Sequence, residues 1–146
     1  MKIAFIVGQF PSLSETFILN QITGLMDRGH DVVIFAQGHG DTSRIHVDNI
    51  KYKLLNRTYY TPRVPKSRIL RILKGSFLLL SNFHRGPMVL LRSLNVFKYG
   101  KKAASLKLLY LIIPFIRREC DYDIIHCHFG PIAVEGILMR DIGAIR

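Results

Sequence analysis

Hydrophobic residues first gather in Lys2-Ile3-Ala4-Phe5-Ile6-Val7, a short β-rich run without alternation, the pattern of a strand buried on both faces. The run ends at Gly8, and a polar loop follows from Gln9 to Thr16. Ser12 and Glu15 have capping-box spacing, in which each side chain satisfies an amide left free at a helix start. Ile18, Ile22, Leu25 and Met26 recur at i, i+4, i+7 and i+8, the apolar stripe of an amphipathic helix. Gly29 falls where a left-handed C-cap is expected, and Asp31-Val32-Val33-Ile34-Phe35-Ala36 supplies a second buried strand. Two such strands joined by one helix make a βαβ unit with a right-handed crossover. The pattern predicts an α/β fold, a doubly wound parallel sheet.

A polar loop, Gln37 to Arg44, comes next. Ile45 to Leu55 alternates in part, at Ile50, Tyr52 and Leu54, and is expected as a further strand near an edge. Thr58 to Pro65, with two tyrosines and two prolines, reads as an irregular connection. Three helical stretches follow. Lys66 to Phe83 carries Ile69, Leu70, Ile72, Leu73, Phe77 and Leu80; Pro87 to Phe97 opens on a proline suited to a first helical position. Lys101 to Arg118 is apolar over Leu106 to Phe115, with Pro114 expected to kink or end it. The period then returns to that of a strand at Tyr122 to His128. Phe129-Gly130-Pro131 turns the chain into a helix from about Ile132 to Ile142, with Ala133, Val134, Ile137 and Leu138 expected inward and Gly143 as its stop. A doubly wound fold calls for another strand after that stop, so the chain is expected to be truncated at Arg146.

Composition adds bounds. The chain has 146 residues, enough for one domain or part of a larger one, and 49% are hydrophobic, which supports a core rather than disorder. The net charge of +11 is unevenly placed: Asn49 to Arg118 holds sixteen Lys and Arg and no acid, whereas the rest holds five basic and ten acidic residues. No signal peptide is visible, and the longest uncharged apolar stretches are too short to span a bilayer. Cys120 and Cys127 form neither a disulfide framework nor a zinc-site spacing and are expected to be reduced thiols.

Three places carry candidate chemistry. In doubly wound folds ligands sit outside the carboxyl ends of the strands, and helix amides attract anions, which places Gly8, Gln9, Ser14, Glu15 and Thr16 at a binding loop. The loop has neither G-x-G-x-x-G nor a Walker A pattern, and helix capping alone is the plainer alternative for Ser12, Ser14 and Glu15. The second place is His126-Cys127-His128. Side chains two apart share a strand face, so Cys127 points away from the two histidines, and no third ligand for a metal is near. His126 is expected in the core and His128, beside the loop and Gly130, at the crevice. The third is the basic segment, whose cations alternate with Leu and Ile in helices. That interleaving suits an anionic lipid surface better than a nucleic acid, which would call for exposed aromatics. Arg68, Arg71, Lys74, Lys101 and Lys102 are its expected membrane-facing cations, with a solvated outer face as the plainer alternative.

The stretches Met1-Lys2-Ile3-Ala4-Phe5-Ile6, Phe10-Pro11-Ser12-Leu13-Ser14-Glu15-Thr16-Phe17-Ile18, Gly29-His30-Asp31-Val32 and Asp123-Ile124-Ile125-His126-Cys127-His128-Phe129-Gly130 resemble the N-terminal half of GT-B glycosyltransferases. The nearest resemblance is to the colanic acid and amylovoran type of exopolysaccharide enzyme in retaining family 4, and it runs from residue 1 to about 143. It implies a Rossmann-like acceptor domain, residues 1–146, with a basic helical insertion over 66–118. It also implies sugar transfer from a nucleotide diphosphate sugar to a lipid-linked or growing saccharide, with retention and without a metal or other cofactor. The expected setting is cytoplasmic, peripheral at the anionic inner face of the plasma membrane. A histidine contacting the reacting sugar or acceptor hydroxyl carries onto His128. The first loop departs from the family in lacking paired glycines, reading Gln9-Phe10-Pro11-Ser12. The donor-binding domain with its Glu-x7-Glu motif is absent, so these residues alone are expected to be inactive. The competing reading is a non-catalytic α/β module that binds membrane or a polyanion.

Overall fold

The computed structural model describes residues 1–12, 15–42, 45–118 and 121–145. Strand β1 (Lys2–Phe10) leads through helix α1 (Thr16–Asp27) to β2 (Asp31–His39). Helix α2 (Val47–Lys51) and a 3-10 turn precede β3 (Thr58–Tyr60). Helices α3 (Arg68–Asn82), α4 (Pro87–Ser93), α5 (Val96–Tyr99), α6 (Lys101–Ala104) and α7 (Lys107–Arg117) follow, then β4 (Ile124–Cys127) and α8 (Gly130–Ile142). The chain forms two compact units, Met1–Tyr60 with Asp121–Gly136, and Thr61–Cys120 with Ile137–Arg146.

The first unit is the expected α/β sheet. Its four strands run parallel in the order β3-β2-β1-β4. Ile3, Phe5 and Val7 of β1 and Val32, Ile34 and Ala36 of β2 face one way and close a core with Ile18, Leu19 and Ile22 of α1 and with Leu54. Leu25 and Met26 pack at its margin, so the predicted stripe is the inner face of α1. The helix ends as expected at Gly29, whose φ of +81° suits a residue without Cβ. The Gly29 amide donates to the Met26 carbonyl (2.9 Å) and the His30 amide to that of Leu25 (3.1 Å), which satisfies two free carbonyls at the helix end. At the other end of the sheet, the Lys2 amide donates to the Asp123 carboxylate (2.6 Å), tying the starts of β1 and β4 together.

Four expectations for this unit are corrected. Strand β1 does not stop at Gly8 but runs to Phe10, because Gln9 and Phe10 continue the ladder opposite Gly38 and His39 of an equally lengthened β2. The helix accordingly starts later: Glu15, expected in its first turn, is its cap residue, and the Glu15 side chain makes no capping bond. Residues 45–55 contain no strand. His46 Nδ1 accepts from the Asp48 amide (3.3 Å), Asp48 lies in the first turn, and α2 results. Of the alternating residues only Leu54 is buried, while Ile50 is exposed. The edge place is filled instead by Thr58-Tyr59-Tyr60, read from sequence as irregular, which pairs with Ile34 to Ala36.

Helix α8 opens in the first unit. Its inner positions are Ile132, Gly136, Met139 and Ile142, whereas Val134 and Ile137, expected inward, are exposed. The cause is a close approach to β4: a Cβ on Gly136 would lie 2.7 Å from Cys127 Sγ, so the helix turns its glycine, not its β-branched residues, toward the strand. Gly143 ends it with a φ of +87°.

The second unit is helical. The sequence stretches split more finely than their periodicity implies: Pro87 starts α4 as expected, but α4 stops at Ser93, and α6 and α7 are separated at Leu106, whose φ is +58°. Pro114 lies inside α7 and does not end it. Leu108 to Phe115 are all buried, as a helix apolar on every side requires. Helix α3 turns Gly75, Leu78 and Asn82 inward, and the Tyr110 hydroxyl donates to the Arg71 carbonyl (2.9 Å), joining α7 to α3. Its opposite face leaves Ile69, Leu73, Phe77 and Leu80 between 63% and 74% exposed, with Leu70 and Ile72 beside them. Among the described residues no helix is long and apolar enough to cross a membrane.

Candidate functional site

The order β3-β2-β1-β4 places a topological switch between β1 and β4. The chain leaves β1 toward β2 on one side, and β4 returns on the other. Such a switch opens a crevice at the carboxyl ends of the strands, the usual ligand position in open α/β sheets. At that end β4 stops opposite Ile6, and the His128 amide donates to the Ile6 carbonyl (3.1 Å), which fixes the next residues beside β1. Both helices that follow these strands, α1 and α8, begin here, so their amide ends and partial positive charge lie at the switch.

His128 is the centre of this arrangement. It is 8% exposed and its Nε2 is buried with no hydrogen-bond partner. Its ring lies 5.5 Å from that of Phe5, at 23°, and 4.5 Å from that of His126. Burial, and then the neighbouring His126, push the imidazole below its ordinary value of 6.5, so it is neutral at neutral pH. The burial of the two histidines is the reverse of expectation. His126 is half-buried, and His128 is the enclosed one, because its ring lies under Phe17 of α1 (5.8 Å, edge-on) and beside Phe129 (6.4 Å). Cys127 faces the opposite side of the sheet toward Gly136, and burial pushes its thiol up, away from a reactive thiolate. Among the described residues no cluster of three or more His, Cys, Asp or Glu side chains is arranged to hold a metal ion.

The remaining predicted residues scatter around the crevice. Gly8 lies within β1, with Ile132 of α8 against its Cα face, and Gln9 is exposed in the strand beside Gly38. Glu15 precedes α1 and its carbonyl accepts from Ile18 (3.0 Å), while Thr16 is the exposed first helical residue. Gly130 is the exposed first residue of α8, and Ser14 lies outside the described residues. Sequence reasoning missed Phe17 and Phe129, each apolar where the pattern calls for polar: one off the helix stripe, the other in a turn. It also missed Gln37, whose side-chain amide donates to the Glu135 carboxylate and ties the end of β2 to α8.

The predicted basic residues differ among themselves. Arg68 is exposed at the start of α3, Lys101 is exposed and Lys102 half-buried in α6. Arg71 lies on the packed face of α3 and donates from Nε to the Pro65 carbonyl (3.0 Å) and from Nη2 to that of Lys66 (3.4 Å). Lys74 donates to the Arg63 carbonyl (2.8 Å). These two hold the segment before α3.

A parallel Rossmann-like sheet with a histidine at its switch point is the class that this fold and site define. Its likeness to known proteins is specific. The chain is 34% identical over 146 residues to the provisionally named colanic acid biosynthesis glycosyltransferase WcaL of Salmonella typhimurium and 34% identical to its Escherichia coli counterpart. It is 33% identical over 147 residues to the amylovoran biosynthesis glycosyltransferase AmsK of Erwinia amylovora. In each case the match takes in 100% of this chain and 35% of the relative, so the chain spans about a third of the length of the relatives it matches. Over its whole length it is thus similar to part of exopolysaccharide glycosyltransferases of the colanic acid and amylovoran type, as its motifs suggest. No family model matches the chain, and no solved structure does.

Proposed function

We propose that this chain is the acceptor-side half of a glycosyltransferase of exopolysaccharide biosynthesis. It would move a sugar, with retention of configuration, from a nucleotide diphosphate sugar to a lipid-linked or growing polysaccharide. The observation that carries the reading is His128: a neutral imidazole at the carboxyl end of β4, at the switch point, with one ring nitrogen unsatisfied. A neutral imidazole can hydrogen-bond an acceptor hydroxyl and stabilise charge as the leaving group departs. The amide ends of α1 and α8 favour anions such as the donor phosphates at the same crevice. Gly8, Gln9, Glu15, Thr16 and Gly130 line the crevice in this reading, and no metal or other cofactor is needed. A separate donor-binding domain supplies the rest of the grip on the nucleotide, so the 146 residues alone are inactive.

The reading places the protein at the cytoplasmic face of the plasma membrane, held peripherally by the second unit. The exposed apolar face of α3, within a segment of sixteen cations and no acid, fits an anionic lipid surface. The same face supports the second reading, a non-catalytic membrane- or polyanion-binding module. One assay separates them: radiolabelled nucleotide sugars added to bacterial membranes with this chain joined to a donor-binding domain. Label entering the lipid-linked fraction is the expected result. No label from any donor, with binding to vesicles retained, favours the second reading.

A further inference from the structure

Two exposed phenylalanines stand together at the crevice. Phe17, in the first turn of α1, is 52% exposed, and Phe129, which precedes α8, is 53% exposed. Their rings meet edge to face, 6.2 Å apart at 90°, and both adjoin the ring of His128. Single exposed apolar residues need no explanation. These two are neighbours, sit at the starts of both crevice helices, and cover a buried imidazole whose Nε2 is unpaired. Phe129 also holds a φ of +71°, a conformation rare for a bulky side chain and concentrated at functional sites. Its carbonyl accepts the Ala133 amide (3.0 Å), so the residue is fixed in place by the helix start.

We propose that Phe17 and Phe129 form an aromatic corner that seats a pyranose ring beside His128, one ring offering its face and the other its edge. A pyranose has a C–H face that packs on aromatic rings and a rim of hydroxyls. A half-exposed aromatic pair beside one unsatisfied imidazole nitrogen answers both features. The two rings therefore select the ring, and a shift of either on binding opens the buried His128 Nε2 to a hydroxyl. This inference rests on the saccharide-transfer reading and names the residues that choose its substrate.

The test uses the whole chain and methyl pyranosides of glucose, galactose, mannose and fucose, followed by NMR. The His128 imidazole resonances are assigned by their loss in His128→Gln. At least one pyranoside is expected to shift them, and Phe129→Gly is expected to weaken that binding fivefold or more. Glycine accepts the positive φ, so this variant keeps the backbone; Phe17→Leu, which removes the ring but stays apolar, is the second variant and should weaken binding similarly. Unchanged affinity in both variants overturns the aromatic corner and leaves the saccharide reading standing. The absence of any pyranoside response at His128 in the unaltered chain overturns both.

Discussion

His128 makes a prediction that depends on its burial and on its neighbour His126. Its folded-state pKa is lowered, by burial first and by His126 second, so between that lowered value and 6.5 the unfolded chain binds more protons than the folded one. Stability therefore rises with pH through that window and is lost as pH falls through it. Urea unfolding between pH 5 and 7.5, on the order of the ordinary histidine range, is expected to show this slope, and His128→Gln to flatten it. An unchanged slope in the variant would assign it to other groups. That His126 and His128 share one face of β4 and Cys127 takes the other was legible from the alternation of a strand. Its enclosure was not legible, because it comes from Phe17, whose nearness depends on how α1 lies on the sheet.

At the scale of elements, long periodic segments were readable and short ones were not. The βαβ opening and its Gly29 cap followed from the stripe of α1 and the run of Asp31 to Ala36. The strand Thr58–Tyr60 was missed because three residues hold no period, although Thr and Tyr favour strands. The face of α8 was misread because Gly136, the residue that permits contact with Cys127, carries no hydrophobic signal. Helix α3 was read correctly as a helix, but the roles of its residues separate only in three dimensions. Arg71 and Lys74 bond backbone carbonyls, whereas Ile69, Leu73, Phe77 and Leu80 stand free on the other face. Full burial of one such side chain is worth about 1.5–3 kcal/mol. Leu73→Ser with Phe77→Ser is thus expected to weaken binding to anionic vesicles by roughly tenfold or more, at about 1.4 kcal/mol per tenfold. Arg71→Ala is expected to cost thermal stability more than vesicle binding. Equal vesicle affinity of the double variant, measured by flotation, would remove α3 from the interface.

For the molecule as a whole, charge and site divide between the two units. The first holds the parallel sheet, the switch point and His128; the second holds most of the acid-free segment and the exposed face of α3. Under the proposed reading, that division suits a transferase whose acceptor is anchored in lipid. The likeness to glycosyltransferases of colanic acid and amylovoran biosynthesis takes in both units and 35% of the relatives' length. The central claim, that His128 acts on the transferred sugar or its acceptor, is tested most directly by turnover. The measurement compares His128→Ala with the unaltered sequence, each joined to a donor-binding domain, in the labelled-sugar assay, with thermal unfolding followed in parallel. Loss of a hydrogen bond made at the reacting centre predicts a fall in turnover on the order of a hundredfold, with vesicle binding unchanged and the fold retained. Turnover within a few-fold of the unaltered protein would contradict the account.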